Sequence, residues 1–270
     1  MERYRLKNII ILILVLVNAF LLASLSIRKS AEQDAFRRTA EQLVTLFEAD
    51  GMTLDIYAIS RDTPPDALTL ARDTTLEQKA AGYLLDGSPT GNDQGGGIYE
   101  YRTAAGTALF RSSGSFEASG VLAEEDAEEF CRKFCHTFSF SEPVFQLENG
   151  SGTAVAQCLY NHLPVFNCNV TFTIEEGVLT AVDGILLPAN GTPTVTAQTP
   201  LSAAGALAAF QRMRQETVAV VSAVVGTDLC YELQTSSAPM SLVPAWRVAT
   251  DTADYYVNCQ TGAVTAGATS

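Results

Sequence analysis

Residues 8–27 read NIIILILVLVNAFLLASLSI, and no charge interrupts them. Fourteen of the nineteen positions from 9 to 27 are Leu, Ile, Val or Phe, and each favours membrane insertion by roughly 0.3–0.6 kcal/mol near a helix centre. Twenty residues at about 1.5 Å each reach the ~30 Å of a hydrocarbon core. The expected element is a transmembrane anchor over 9–27. A cleavable signal peptide is the competing reading, with Arg3, Arg5 and Lys7 as its basic start and Ser24 and Ser26 before a cut. The length of the run, and Arg28 and Lys29 directly after it, favour the uncleaved anchor. The basic start then holds 1–8 in the cytoplasm and sends the rest outside, a single-pass protein of the cell membrane. Asn18 is the strongly polar group in mid-anchor. Its amide bonds either to its own helix or to another membrane helix, which makes Asn18 with its neighbours Phe20 and Leu21 the candidate partner-binding residues.

The formal charge of −13 is unevenly spread. Five of the 17 basic and one of the 30 acidic side chains fall in the first 30 residues, leaving 12 basic against 29 acidic beyond them. So acidic a body excludes a nucleic-acid partner, because arginine and lysine are what neutralise phosphates. It would suit a basic peptide or protein surface.

Catalytic signals are missing. The chain has two histidines, His136 and His162, and no G-x-S-x-G elbow, H-E-x-x-H, Walker loop or G-x-G-x-x-G. A histidine-assisted nucleophile would have to use one of these two. The six cysteines lack paired C-x-x-C spacing, so no metal and no cofactor is expected. Disulfides and free buried thiols are equally open readings. Cys230 and Cys259, both on expected strands of the last module, are the pair most readily bridged, whereas Cys131 and Cys135 share one helix face as core. The expectation is a non-enzyme.

Periodicity divides the remainder. Phe36, Ala40, Leu43, Leu46 and Phe47 recur at helical spacing and Gly51 supplies a stop. A strand is expected over 54–59 and a helix over 74–85. A second helix over 122–138 carries Phe130, Phe134 and Phe138 on one stripe, followed by strands in which Val170, Phe172 and Ile174 alternate with Thr. After a Pro/Thr-rich stretch, the order returns as a helix capped by Thr199, with Leu207, Phe210 and Met213 on its inner face, and more strands. The expected fold class is α+β, an N-terminal transmembrane helix followed by repeated small modules of a helix packed on an antiparallel sheet. The boundaries read 1–8 cytoplasmic, 9–27 anchor, 28–50 juxtamembrane helix, 51–117 first module, 118–188 second module, 189–199 linker, 200–265 third module and 266–270 tail.

Three segments resemble the YycI/YycH family, bitopic bacterial regulators of the WalK sensor histidine kinase. They are Lys7-Asn8-Ile9-Ile10 through Asn18-Ala19-Phe20-Leu21-Leu22, Tyr160-Asn161-His162-Leu163-Pro164-Val165-Phe166-Asn167, and Pro244-Ala245-Trp246-Arg247-Val248 with Tyr255-Tyr256-Val257-Asn258 and Thr261-Gly262-Ala263-Val264. The last is similar to a PepSY-like end. His162 stands where that family often has Gly. The resemblance implies a membrane-anchored extracytoplasmic regulator of a two-component system in cell-wall homeostasis. Its implied partners are the membrane helices of the sensor kinase and a paralogous bitopic protein. The alternative function is a PepSY-like extracytoplasmic protein that binds or inhibits a peptidase or cell-wall component.

Overall fold

A computed structural model describes residues 2–123, 126–194, 199–217, 219–235 and 239–267, without the side chains of 2–12 and 25–29. The first half runs α1 (Glu2–Ala49), β1 (Thr53–Leu54), a 3-10 turn (Ile56–Ala58), β2 (Leu68–Leu70), α2 (Thr74–Leu84), β3 (Gly91–Gly95), β4 (Ile98–Arg102), β5 (Gly106–Arg111) and β6 (Ser115–Ala123). Next come α3 (Ala127–Thr137), β7 (Val144–Glu148), β8 (Ser151–Tyr160), β9 (Leu163–Glu175), β10 (Val178–Ile185) and β11 (Gly191–Pro193). The chain closes with α4 (Ala203–Thr217), β12 (Ala223–Gln234), β13 (Met240–Thr250), β14 (Asp254–Asn258) and β15 (Val264–Ala266).

The alternation around Val170 belongs to a strand longer than one small module needs. β9 has 13 residues, roughly 43 Å of extended chain. Its first residues pair in parallel with β12 through Tyr231 and Val165, and its last pair with β10. β8 lies antiparallel along its other edge. This sharing corrects the expected fold class. Instead of separate antiparallel modules there is one 15-stranded mixed sheet, in the order β11-β2-β13-β12-β9-β10-β6-β5-β4-β3, with the other strands branching from it. The parallel joins are β1 on β12 and β12 on β9.

Two cores lie on this sheet. In the larger, Phe134 of α3 and Phe138 just after it are buried, and Tyr83 of α2 packs against both and against Phe130, with ring centroids 5.1–5.8 Å away. Cys131 and Cys135 are buried there as free thiols, core residues as their spacing implied. The helix α2 starts at Asp73, whose carboxylate accepts from the backbone N–H groups of Thr75 and Leu76. It is tied down by Arg72, which donates to Glu77 at 2.7 and 2.9 Å and to Gly97 O at 2.7 Å.

In the smaller core, Leu207 and Phe210 of α4 meet Trp246, Val248 and Val257 of the sheet and Ala40, Leu43 and Phe47 of α1. The Trp246 indole donates to Leu201 O at 2.8 Å. Ser202, and not Thr199, caps α4, accepting from the N–H of Gly205. The expected strand over 54–59 is also shorter than its apolar content suggested. Asp55 accepts from Tyr57 N–H and turns the chain into the 3-10 segment after two paired residues.

The helix α1 is continuous over 48 residues. Its end is fixed to α4, where Phe47 stacks on Phe210 and Asp50 accepts from Gln211 and Gln215. Upstream, the side chains described over 13–24 are all exposed. Among the described residues, no helix is long and apolar enough to cross a membrane. The expected anchor over 9–27 is thereby corrected, and with it the single-pass topology, the cell-membrane placement and the membrane helices of a kinase as partner.

Where β9 meets β12 the backbone pairing is sparse. Beyond the single Tyr231–Val165 pairing, the amide of Asn167 donates to Leu233 O and accepts from Leu233 N–H, both at 2.8 Å. Phe166 stacks on Tyr256 at 3.9 Å, and Tyr160 meets Tyr231 edge-on at 5.9 Å. Asn167 thus stands in for a strand neighbour where the backbones of β9 and β12 diverge. Two hydrogen bonds are worth about 1–3 kcal/mol together. Asn167→Ala is expected to lower unfolding stability in urea by that amount, while Asn169→Ala two residues on changes it by less than about 0.5 kcal/mol. Equal effects of the two variants would contradict this role.

Candidate functional site

The end of α3 and the turn between β8 and β9 meet over a cleft of about 680 Å³. Both features follow from local chemistry. Helix α3 starts at Asp126, whose carboxylate accepts from Glu129 N–H, and ends when Phe138 N–H reaches Phe134 O and Phe140 N–H reaches Cys135 O. That paired closure needs a left-handed residue between them, usually glycine. Here it is Ser139, at φ 61°. The segment after it is stitched to β8, since Leu159 N–H donates to Ser139 O and Ser141 N–H to Gln157 O, each at 2.8 Å. His136, in the last turn of α3, is thereby carried to the β8–β9 hairpin.

That hairpin has a two-residue loop, Asn161-His162, between the paired Tyr160 and Leu163. Both loop residues have positive φ, 49° and 68°. Asn-Gly is the favoured pair in such a turn, because the second position is left-handed and glycine has no Cβ to clash. A histidine there carries strain. Three of the seven non-glycine residues with positive φ among the described residues, Ser139, Asn161 and His162, line this one cleft. Strained backbone of this kind gathers where the residue identity serves something other than stability.

The walls are mostly apolar, with Leu76, Phe138, Leu159, Leu187 and Pro188, and Cys158 in the lining. The polar groups at its rim are Lys79, His136, His162, Asn161 and the hydroxyls of Thr137, Ser139 and Tyr160. Two of those hydroxyls are engaged, Tyr160 with Ala189 O at 3.3 Å and Thr137 with Lys133 O at 2.7 Å. Lys79 lies 5.8 Å from the centre of the Phe138 ring. Among the described residues, no aspartate or glutamate lines the cleft, although the chain as a whole carries 30.

A second hollow, of about 640 Å³, opens beside the joint of β9 and β14. It is lined by Phe166, Asn167, Asn169, Asp251, Asp254 and Tyr256 among others. Its charges are already spoken for. Asp254 accepts from Arg247 at 2.8 Å, and Asp251 is held below the usual carboxylate range by the backbone N–H groups of Ala223 and Ser222. A mostly apolar cleft with unengaged polar groups at its rim is the better ligand site.

The cysteines are arranged otherwise than expected. Cys158 and Cys168, on neighbouring strands β8 and β9 with Cα atoms 5.4 Å apart, form the disulfide. Cys230 and Cys259 are buried free thiols. The expected Cys230–Cys259 bridge is corrected by the register, because Cys230 faces Ala245 on β13, which in turn faces Asn258 on β14. One whole strand lies between them, about 9.5 Å of sheet, and cysteines whose Cα atoms are more than about 7 Å apart cannot be bridged without moving backbone. Burial pushes the thiols of Cys131, Cys135, Cys230 and Cys259 up to about 12. Among the described residues, no group of three His, Cys, Asp or Glu is placed to hold a metal ion. Asn18, Phe20 and Leu21 sit exposed on the free part of α1 and line neither cavity.

No protein-family model and no curated protein matches the chain. Among solved structures it is similar to the crystal structure of an uncharacterized protein from Eubacterium rectale ATCC 33656. The two are 10% identical, and the match covers 79% of this chain and 89% of that one at a TM-score of 0.47. So distant a likeness carries no argument about function. The resemblance to YycI/YycH proteins therefore finds no support from any family, and with the anchor corrected it is set aside. The kinase-regulating role, the paralogous partner and the PepSY-like alternative go with it.

The two histidines are 26 positions apart, on a helix and a turn, and only the α3–β8 stitching brings them to one cleft. The legible signal was His162 itself, in a hairpin turn that favours glycine. His162→Gly is expected to raise the midpoint of thermal unfolding, by the equivalent of about 0.5–1 kcal/mol, through relief of left-handed strain. A lowered midpoint would show that the turn is not strained.

Proposed function

We propose that this chain is a non-catalytic binding protein whose histidine cleft takes a small ligand with an anionic head and an apolar body. The observation that carries this reading is the lining. In a chain of charge −13, both histidines and Lys79 surround a cleft that no carboxylate lines among the described residues, walled by Leu76, Phe138, Leu159, Leu187 and Pro188. An imidazole offers an N–H donor in either protonation state, and lysine offers three. The apolar walls provide burial at roughly 25 cal/mol per Å² of ligand surface. The end of α3 works against an anion with about half a charge. Lys79 outweighs it with a full one, and the Phe134 and Cys135 carbonyls are already occupied by N–H donors.

Catalysis is disfavoured by what surrounds the imidazoles. Nucleophilic chemistry needs a base within about 2.6–3.2 Å of a hydroxyl or thiol. Among the described residues neither His136 nor His162 makes such a hydrogen bond, and the free thiols are held protonated at neutral pH by burial.

Titration calorimetry of the full chain tests the reading with octanoate as the probe and octylammonium as its cationic counterpart. Octanoate is expected to bind at one site per chain, and Lys79→Ala to weaken it about fivefold to tenfold, the worth of a charge-assisted contact at a partly exposed position. Octylammonium is expected not to bind. Equal binding of both probes, or an unchanged affinity in Lys79→Ala, would sink the proposal.

A further inference from the structure

The carboxylates of the hollow beside the joint of β9 and β14 are already engaged by protein donors, which suits it to a neutral ligand rather than to an ion. We propose that it is a second binding site, for a neutral saccharide packed against the Phe166–Tyr256 ring pair and hydrogen-bonded by Asn167, Asn169, Asp251 and Asp254. Its volume of about 640 Å³ falls within the about 300–1,000 Å³ of sites that take small molecules. The inference is independent of which ligand the histidine cleft binds.

The lining is open to solvent. Asn167, Asn169 and Asp251 are exposed, and Phe166, Asp254 and Tyr256 are half-buried. Its apolar part is the ring pair, stacked at 3.9 Å with the planes 8° apart. Its polar part has hydrogen-bonding capacity left over. Asn167 spends one N–H and one acceptor site on Leu233 and keeps its second N–H. Arg247 donates to Oδ2 of Asp254, so Oδ1 remains an acceptor. Among the described residues, the Asn169 amide and the Tyr256 hydroxyl have no hydrogen-bond partner in the protein.

That mixture selects among ligands. An ammonium ion uses acceptors alone and a carboxylate donors alone, whereas a hydroxyl is donor and acceptor at once. The hollow sets both kinds side by side, with donors on Asn167 and Asn169 and acceptors on Asn169 and Asp254. A pyranose ring matches this arrangement, because a rim of hydroxyls surrounds its faces of C–H bonds. The rim meets the amides and carboxylates, and the C–H groups pack on aromatic rings whose faces carry negative charge. The polar groups are also in place before a ligand arrives. Asp251 is held by the N–H groups of Ser222 and Ala223, Asp254 by Arg247 and Asn167 by Leu233, so little side-chain freedom is lost on binding. A ligand seated there touches β9 on one side and β14 on the other, spanning the sparse joint of the sheet.

The test is saturation-transfer NMR of the full chain with two neutral disaccharides, cellobiose and N,N′-diacetylchitobiose, and with the doubly cationic dimer of glucosamine. At least one neutral disaccharide is expected to bind at a single site, more tightly than the cationic dimer, and saturating octanoate is expected not to displace it. Asn169→Ala, which removes no hydrogen bond within the fold, should weaken that binding about threefold to tenfold. Tyr256→Leu, with folding checked by circular dichroism, should weaken it at least about tenfold. Failure of both neutral disaccharides to bind would overturn the inference. So would equal or tighter binding of the cationic dimer, displacement by octanoate, or an unchanged affinity in Asn169→Ala.

Discussion

The strand β9 is the constraint on which the rest of the molecule depends. Its two ends serve different halves of the sheet, and at the changeover the backbone ladder to β12 is a single pairing, Tyr231 with Val165. A ladder that thin leaves buried peptide groups without partners, which costs about 1–3 kcal/mol for each. The amide of Asn167 removes that cost for Leu233 by presenting an acceptor and a donor in the geometry of a neighbouring strand. The Phe166–Tyr256 stack closes one flank and the Tyr160–Tyr231 contact lies on the other side. Burial pushes the Tyr231 hydroxyl up to about 12, consistent with a dry joint.

From that joint the placement of the cleft follows. β9 begins at the β8–β9 hairpin, so the same strand that unites the sheet also carries His162 at its entry. The stitching of residues 139–141 to β8 brings the end of α3 to the same place, and α2, held by the Arg72–Glu77 pair, adds Leu76 and Lys79. Two strained residues, Ser139 and His162, meet there in consequence. Stability alone would place glycine at Ser139 and His162. Their side chains therefore point to a use for the cleft, and the lack of a lining carboxylate among the described residues of so acidic a chain points to an anion.

What could be read from the sequence was whatever repeats locally. The inner faces of the helices were legible because Ala40, Leu43 and Phe47, Phe134 and Phe138, and Leu207 and Phe210 recur with the helical period, and all are buried. Strand alternation in Val170, Phe172 and Ile174 was legible for the same reason. Register was not. Whether Cys158 faces Cys168, or Cys230 faces Cys259, depends on which strands are neighbours and on the irregularity between Gln157 and Leu159, and no period encodes that. The apolar run over 8–27 carried a strong compositional signal for an anchor, yet among the described residues no helix is long and apolar enough to cross a membrane. The cleft was illegible because its parts come from α2, α3, the β8–β9 turn and the segment after β10, which are adjacent in space and distant in the chain.

The chain has only two histidines, so a proton–carbon correlation spectrum selective for imidazoles contains two Cε1–H signals. Titration of the full chain with octanoate measures directly whether one cleft holds both and takes an anion. The expected result is that both signals move together and fit a single dissociation constant, while octylammonium moves neither. Movement of one signal alone, two different constants, or the same response to the cationic probe would contradict a shared anion-binding cleft.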